Sequence, residues 1–266
     1  MNEYVLITGA SSGIGKELAY IFASHGHDLF LTARNEERLQ QLKEEIEGKY
    51  HVDVLYCPLD LSVNGAPEEL YQETKRQGLV ITTLINNAGF GDYGLFSEAD
   101  IEKITQMVDL NVRSLTQLTS YVVKDMKERR RGEILNVGSV ASFFPGPYMA
   151  VYYATKAYVL SFSRALREEV RDEGITVSCL CPGPTATSFF ERAGAKTATV
   201  FSGNVFLKGA KEVAQYGYDL LKEDRAYGIP GLAFTLGVKA VQLMPGELGV
   251  KTLALIQGFT RQKKEK

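Results

Sequence analysis

Short apolar segments alternate with longer amphipathic segments along most of this chain. Seven short segments have the length and apolar character of buried strands, near residues 4–8, 28–32, 52–57, 82–86, 132–137, 175–181 and 226–229. Between them the apolar positions recur at helical spacing, which predicts helices near 14–25, 35–48, 66–77, 100–129, 150–172 and 211–222. This alternation predicts an α/β fold in which helices cover both faces of one doubly wound parallel sheet of about seven strands.

The loops that follow these strands carry most of the glycines and polar motifs. Ligands of such sheets bind beyond the carboxyl ends of the strands, so these loops are expected to meet at one rim. Six predicted strands are followed by such a motif, at residues 9–15, 33–34, 60, 86–89, 139 and 182–183.

Composition limits the possible functions. The chain has 266 residues, of which 45% are hydrophobic, and this is enough for a single domain over 1–266 with a substantial core. The net charge of −2 gives no electrostatic footprint for nucleic acid. Cys57, Cys179 and Cys181 are expected to be free thiols in or beside strands, and the first strand leaves no room for a leader, so we expect a cytoplasmic protein.

A glycine-rich turn separates the first strand from the first helix and suggests a Rossmann-like nucleotide site. Glycines at such a turn let the backbone approach a pyrophosphate, and the amides at the helix N-terminus point toward it. The predicted cofactor-binding residues here are Gly9, Ser11, Ser12, Gly13, Ile14 and Gly15. Taken alone, the glycine spacing is also compatible with a plain turn before a helix.

Tyr152 and Lys156 are one helical turn apart on the predicted helix 150–172. A free tyrosine ionises near pH ~10, and an ammonium on the same helical face favours the phenolate, so Tyr152 is a candidate acid/base for a carbonyl substrate. Tyr153 is rotated about 100° around the helix axis, which favours a packing role. Alone, the pair is also compatible with a half-buried aromatic beside a solvated lysine.

The ordered set of motifs resembles the short-chain dehydrogenase/reductase family over about residues 3–190. The resemblance implies a nicotinamide-dependent oxidoreductase in which Tyr152 donates a proton to a carbonyl oxygen. It also implies that Lys156 holds the nicotinamide ribose and lowers the pKa of the tyrosine, and that Ser139 orients the substrate oxygen. The main chain near Asn111 would hold a water that relays protons to Lys156. Further cofactor contacts implied by the family are Asp60, Leu61, Asn87, Ala88, Gly89, Pro182 and Gly183.

The end of the second strand bears on the choice between NADP and NAD. An NAD site carries an acid there for the ribose 2′-hydroxyl, whereas an NADP site carries an arginine. Arg34 stands near this position and no acid does, so NADP is predicted over NAD. Ser12 replaces a second basic residue that many NADP-using relatives carry, which leaves NAD open. Asp60 would accept a hydrogen bond from the adenine amino group, or it could serve as a turn residue or helix N-cap.

Aromatic residues dominate the loops expected to line the substrate pocket. These residues are Phe90, Tyr93, Phe143, Phe144, Pro145, Tyr148, Met149, Phe189 and Phe190. Such a lining favours a hydrophobic ketone or aldehyde over a small anionic acid, although core or subunit contacts are the alternative for several of them. Residues 184–210 are predicted to form a flap, with Thr185 and Thr187 placed to bind the nicotinamide amide or a phosphate.

Residues 231–260 are apolar but interrupted by Lys239, Glu247 and Lys251, so no window reaches the ~18 uncharged residues of a transmembrane segment. Two amphipathic helices would fit this pattern, covering the pocket or packing on a partner chain, with shallow membrane association as a further alternative. The family resemblance implies a homodimer or homotetramer built through helices 100–129 and 150–172.

Two functions from different classes fit these residues. The first is an NADPH-dependent carbonyl reductase that also runs as an alcohol dehydrogenase, and the second is a dinucleotide-binding sensor or scaffold without turnover. Ser139, Tyr152 and Lys156 together favour the enzyme, because a binding protein has no need of all three. No histidine is placed to serve Ser139 as in a hydrolase, and no metal site is predicted.

Overall fold

The computed structural model describes residues 2–186, 208–244 and 246–262 of the protein. The strands are β1 (Glu3–Thr8), β2 (Asp28–Ala33), β3 (Val54–Pro58), β4 (Val80–Asn86), β5 (Gly132–Val137), β6 (Ile175–Leu180), β7 (Thr185–Ala186), β8 (Lys208–Gly209) and β9 (Tyr227–Gly228). The helices are α1 (Gly13–Ser24), α2 (Glu36–Glu47), α3 (Ala66–Arg76), α4 (Ile101–Val108), α5 (Leu115–Arg129), α6 (Ala150–Val170), α7 (Ala210–Lys222), α8 (Leu232–Leu243) and α9 (Gly246–Gln262).

Seven strands form one parallel sheet in the order β3-β2-β1-β4-β5-β6-β9, which confirms the predicted fold class. The chain runs outward from β1 to β3 and then crosses back to place β4 on the other side of β1. The connections leaving β1 and β4 therefore diverge at their carboxyl ends. This is the switch point at which open α/β sheets bind ligands.

Apolar side chains cover both faces of β1, which explains why its segment is apolar without alternation. Val5 and Ile7 are fully buried in a core that also contains side chains from α1, α2 and α7. Tyr4 and Leu6 point to the opposite face and are buried in a second core with side chains from α3, α5 and α6. The sheet is thus held from both sides, and its carboxyl edge stays available for a site.

The predicted helix 100–129 is divided by a π-helical turn over Asp109–Ser114. Asn111 lies in this turn and is buried, with its side-chain amide donating to the Phe90 carbonyl at 2.9 Å and accepting from the Phe90 amide at 3.1 Å. The wider turn inserts one extra residue into the helix while the apolar spacing on either side continues. Sequence periodicity therefore predicts one helix where the structure has two joined by this turn.

The strands β7 and β8 pair in parallel, with Thr185 opposite Lys208, and form a two-stranded sheet that the sequence pattern does not predict. Elements of two residues are too short to produce a periodic signal. Most of the predicted flap 184–210 lies outside the described residues, including Thr187, Phe189 and Phe190.

The helices α8 and α9 occupy the apolar stretch 231–260, as predicted. Among the helices that the structure describes, none is both long and apolar enough to cross a membrane. Phe234 and Val238 of α8 pack against Cys181 and Ile229 at the end of the sheet. This contact places α8 beside the carboxyl edge of the strands.

Candidate active site

A cavity of about 1130 Å³ opens at the carboxyl edge of the sheet. One end is lined by backbone of the glycine turn, through Gly9, Ser11, Ser12, Gly13 and Ile14. Gly9 and Gly13 have φ of +66° and +58°, a left-handed conformation that glycine adopts without steric cost. The turn therefore places backbone that no side chain covers, and the N-terminus of α1, at the cavity wall.

Thr8 joins the glycine turn to the end of β4. Its hydroxyl accepts hydrogen bonds from the amides of Asn87 and Ala88, both at 3.0 Å, and donates to the Ile85 carbonyl. The Asn87 side chain returns two bonds, to the carbonyls of Thr8 at 2.9 Å and Gly9 at 3.2 Å. These bonds fix the two diverging loops relative to each other.

Ser139, Tyr152 and Lys156 line the same cavity and are all buried. Ser139 begins a short 3₁₀ turn, where its hydroxyl accepts from the Ala141 amide at 3.1 Å and lies 3.5 Å from the Pro182 carbonyl. The Lys156 ammonium donates to the Val137 carbonyl at 2.8 Å and lies 5.9 Å from the centre of the Tyr152 ring. The loop after β5 and helix α6 thus bring three of the four predicted catalytic side chains together.

Burial controls the pKa values of this group. Desolvation raises the pKa of the Tyr152 phenol, and a hydrogen bond with Ser139 offsets only part of that effect. Desolvation also lowers the pKa of Lys156 to about 8. The pKa of Tyr152 is therefore raised in this structure, the reverse of what the sequence predicts from Lys156 alone, because removing the phenolate from water outweighs the hydrogen bond with Ser139.

Gly89 and Asn111 complete the surroundings of Lys156. A Cβ on Gly89 would lie only 2.9 Å from Asn111 Oδ1, so only glycine fits here without displacing the Asn111 side chain, whereas its distance to Lys156 Nζ, 3.5 Å, would be an ordinary contact. The Asn111 amide also donates to the Thr155 hydroxyl at 3.1 Å. The π-helical turn is thus tied both to the loop after β4 and to α6.

Two arginines border the cavity at the end of β2. Arg34 is largely exposed, and its guanidinium lies 3.7 Å from the Asp60 carboxylate. Asp60 itself accepts from the Ser62 amide at 3.0 Å and hydroxyl at 2.7 Å, which is a turn contact, one of the three roles considered for it; its contact with the adenine stays a prediction. Arg38 also lines the cavity, from the first turn of α2, where its amide is capped by Asn35.

Most of the remaining predicted cofactor residues lie at or beside this cavity, and Thr187 lies outside the described residues. Those that line it include Leu61, Asn87, Ala88, Gly89, Pro182, Gly183 and Thr185. Gly15 lies behind the wall, where a Cβ would stand 2.4 Å from the Gly9 carbonyl oxygen. The Thr185 hydroxyl donates to the Gly183 carbonyl at 3.0 Å.

The other end of the cavity is mainly apolar. Its lining includes Phe90, Tyr93, Phe144, Met149, Tyr153, Phe234, Val238, Val241 and Leu253. The inner sides of α8 and α9 therefore cover the pocket, one of the two positions predicted for them. Lys103 is a charged residue at this end, and its ammonium is paired with Asp92 at 2.5 Å.

Tyr153 packs against its neighbours, the role that its helix position favours, and it also lines the cavity. Its ring lies against Phe144 and stands edge-on to Tyr152, with centroids 6.0 and 6.1 Å apart. A Cβ on Gly146 would come within 2.4 Å of the Tyr153 ring. The ring position is thus defined from several sides.

The residues present fit an extended dinucleotide. Exposed backbone amides at a helix N-terminus suit a pyrophosphate, the arginines stand at one end, and the proton-transfer side chains stand at the other. The short chain dehydrogenase family model matches residues 3–198 of this chain. The chain belongs to the short-chain dehydrogenase family.

Known proteins similar to this short-chain dehydrogenase include the human very-long-chain 3-oxoacyl-CoA reductase, which is 34% identical over 194 residues. That alignment covers 70% of this chain and 61% of the human protein, so the chain spans less than two thirds of this relative. A short-chain dehydrogenase from Sphingobium yanoikuyae in complex with NADPH superposes with a TM-score of 0.82 at 33% identity, covering 90% of this chain and 92% of that chain. The predicted cofactor, NADP, is thus the one bound by this structural relative.

A second solved structure is the bulky-bulky ketone specific alcohol dehydrogenase from Comamonas testosteroni. It superposes on this short-chain dehydrogenase with a TM-score of 0.77 at 29% identity, covering 91% of this chain and 92% of that chain. The fold of the whole described sheet is therefore shared with enzymes of this family.

Sequence reasoning missed several residues of the cavity in this short-chain dehydrogenase. Arg38 could have been found from its spacing of four residues from Arg34, but Lys103 and Gln106 of α4 carry no local signal. Of the predicted pocket aromatics, Phe143 lies instead against Tyr227. Tyr148 lies against Tyr93 and borders a smaller cavity nearby. Pro145 is absent from the described cavity lining.

Replacing Gly89 by alanine tests the close approach of the loop after β4 to Asn111. The new Cβ would push against Asn111 Oδ1, so we expect Gly89→Ala to weaken NADPH binding by about tenfold or more and to lower activity. Gly94→Ala in the same loop is the matched control, since a Cβ there meets nothing within 4 Å. Titration of NADPH fluorescence measures both, and equal affinities for the two variants would contradict the close approach.

The lowered pKa of Lys156 predicts a pH-dependent contribution to stability. Between pH 8 and pH 10.5 the unfolded chain binds more protons at this residue than the folded chain. The free energy of unfolding therefore increases as the pH rises through this range. Relative to Lys156→Met, the wild type should become more stable by up to about 3 kcal/mol across this range. Urea unfolding of both proteins at each pH measures the difference in their free energies of unfolding. Groups that titrate equally in the two proteins cancel in this difference. A constant difference would show that the ammonium is not desolvated.

Proposed function

We propose that this protein is an NADP(H)-dependent carbonyl reductase that acts on bulky, hydrophobic ketones or aldehydes. The observation that carries the proposal is the position of Ser139 and Tyr152 within one cavity that has a glycine-rich backbone wall at one end and an aromatic wall at the other. A carbonyl carbon at this junction would be within reach of a hydride from the nicotinamide, which the bound cofactor supplies.

Tyr152 is proposed to donate the proton to the carbonyl oxygen, and Ser139 to orient that oxygen. The raised pKa keeps the phenol protonated at neutral pH, which suits a proton donor in the direction of reduction. The Ser139 and Tyr152 side chains are hydrogen-bonded to each other, so both hydroxyls would be within reach of one substrate oxygen. Two hydroxyl groups on one carbonyl oxygen would also stabilise the negative charge that develops on it.

Lys156 is proposed to hold the ribose of the cofactor and to return a proton toward Tyr152 after each turnover. Its pKa of about 8 lies close to neutral pH, so the ammonium gives up a proton more readily than an exposed lysine would. The Val137 carbonyl fixes the ammonium, and Asn111 stands beside it across Gly89. Asn111 is proposed as a positioning residue through its π-helical turn, whose main chain would hold a relay water.

Arg34 and Arg38 are proposed to bind the 2′-phosphate that distinguishes NADP from NAD. Both line the cavity at the end of β2, where no carboxylate of that strand end is available for a ribose hydroxyl. Asp60 offsets part of the Arg34 charge at 3.7 Å, and Arg38 supplies the second positive charge that Ser12 does not. The backbone contacts proposed for the rest of the cofactor are those of the glycine turn and of Asn87, Ala88 and Gly89.

The substrate is proposed to be a ketone or aldehyde with large apolar groups. The aromatic wall of Phe90, Phe144 and Tyr153 supports this class, and Lys103 is already neutralised by Asp92. The name of the Comamonas enzyme specifies bulky ketones, and that of the human relative specifies a 3-oxoacyl thioester. Both kinds of compound contain a ketone flanked by carbon chains, and the apolar end of the cavity would accommodate such groups.

We further propose that the protein works in a reducing cytoplasm as a homodimer or homotetramer. Cys179 and Cys181 are buried as free thiols with their sulfur atoms 3.7 Å apart, as expected where disulfides do not form. The helices α5 and α6 are the proposed oligomer contact, by analogy with the family. Sedimentation velocity of the purified protein measures the oligomeric state.

The decisive experiment is NADPH oxidation by the purified protein across bulky ketones, aldehydes, hydroxysteroid-type ketones and a 3-oxoacyl thioester. We expect turnover of at least one apolar class and a loss of roughly 10²- to 10⁴-fold in kcat for Tyr152→Phe, with NADPH affinity retained. Tyr20→Phe, which removes a hydroxyl bonded to Glu45 away from the cavity, is the matched control. Bound NADPH without turnover of any substrate would instead favour a dinucleotide sensor or scaffold.

Replacing the two arginines tests whether they distinguish NADPH from NADH. Arg34→Ala and Arg38→Ala should each weaken NADPH binding by about tenfold or more and leave NADH binding nearly unchanged, because a charge-assisted bond to the 2′-phosphate is lost. Arg76→Ala, which removes an exposed arginine of α3 paired with Glu73, is the control. Equal losses for the two cofactors would place the phosphate elsewhere.

A further inference from the structure

The outer face of α8 is a stripe of exposed leucines. Leu232, Leu236 and Leu243 fall within about 40° of one another around the helix axis. Their exposed fractions are 74%, 57% and 87%, so the stripe is almost fully open to solvent. Single exposed apolar residues are ordinary, but three on one side of a twelve-residue helix form a patch.

The core and the cavity do not explain this stripe, because α8 uses its opposite side for them. Phe234, Val238 and Val241 lie roughly half a turn away and line the cavity. A helix with one buried face ordinarily presents polar residues on the other. The leucines of α8 therefore indicate a second apolar contact that lies outside the described fold.

The helix α9 repeats this arrangement. Leu253 is directed at the cavity, whereas Leu248 and Leu255, two turns apart, are 55% and 66% exposed. The two helices meet near their junction, where Gly249 lies against Val241. Both members of the pair thus have an inner side on the pocket and an outer side without cover from the described residues.

Positive charge accompanies the outer leucines. Lys239 is about 20° from Leu232 around α8, and Lys251 is about 40° from Leu255 around α9. Both lysines are exposed, and neither forms an ion pair with any residue that the structure describes. Residues 231–266 contain six basic and two acidic side chains, although the whole chain has a net charge of −2. Four of the six basic side chains lie in residues 261–266, whereas residues 231–255 carry Lys239 and Lys251 against one acid, Glu247, about 40° from Lys251 around α9. The segment is therefore positively charged, mostly beyond the leucines.

We propose that the outer faces of α8 and α9 dock on an anionic lipid surface. The leucines would enter the boundary of the acyl chains, and the lysine stems would lie along it with their ammonium groups at the lipid phosphates. A two-fold contact with a second copy would instead place the same stripe against itself and bring Lys239 and Lys251 of the two copies close together, with one acid per copy, Glu247, to offset them. Charge complementarity thus favours the lipid surface. The proposal concerns this surface alone and does not depend on the reaction.

Vesicle flotation with the purified full chain tests the proposal. We expect binding to vesicles of equimolar phosphatidylcholine and phosphatidylserine, much weaker binding to phosphatidylcholine alone, and loss of binding at high salt. The double variant Leu236→Gln/Leu243→Gln should bind at least tenfold more weakly. Lys239→Gln and Lys251→Gln should each weaken binding about fivefold. Val63→Gln, which changes an exposed apolar residue before α3, should bind as the wild type does.

Several outcomes would overturn the proposal. Absence of binding to either vesicle would do so, and so would binding that the leucine variants leave unchanged. Equal binding to both vesicles would refute the role of charge. A dimer in sedimentation equilibrium that Leu236→Gln/Leu243→Gln dissociates, without vesicle binding, would assign the stripe to a second copy. An unchanged unfolding midpoint and unchanged NADPH affinity of the variants would confirm that the surface alone has been altered.

Discussion

Burial of the Lys156 ammonium is the constraint on which the rest of this site depends. A charged group removed from water needs close polar partners, and the fold supplies the Val137 carbonyl at the end of β5. The backbone carbonyl of Lys156 accepts a hydrogen bond from the Ser142 hydroxyl at 2.7 Å. This bond ties the turn that begins at Ser139 to helix α6. Gly89 leaves space for the Asn111 side chain beside the ammonium. Orientation of the proton-transfer group thus follows from how one lysine is accommodated.

The sheet makes this accommodation possible because its topology opens at one place only among the described strands. The divergence after β1 and β4 creates the cleft, and the Thr8 hydroxyl holds its two sides at a fixed separation through bonds to Asn87 and Ala88. Apolar packing on both faces makes β1 rigid, so a small polar side chain at its end can define the cleft. Stability of the core and precision of the site therefore have the same origin.

Local patterns in the sequence predict the seven strands of the main sheet, most of the helices and the motifs at the rim, because each depends on spacing within a short segment. The π-helical turn around Asn111 escapes prediction, since one extra residue leaves the flanking apolar pattern intact. The direction of the Tyr152 pKa also escapes, because desolvation depends on what the whole fold places over the ring. The pocket wall contributed by α8 also escapes prediction, because it joins segments more than 80 residues apart in sequence. Phe234 of α8, for example, lines the same cavity as Phe144 and Tyr153.

Tyr153 and Gly146 have a consequence for how this pocket can change in evolution. Gly146 does not need glycine for its backbone conformation, since its φ is not in the left-handed region, but the Tyr153 ring occupies the place of a Cβ. A side chain at 146 becomes acceptable only after residue 153 has become smaller. The reverse order would displace the ring that shapes the substrate end of the cavity. The two positions should therefore vary together across relatives, and a change in pocket size should pass through residue 153 first.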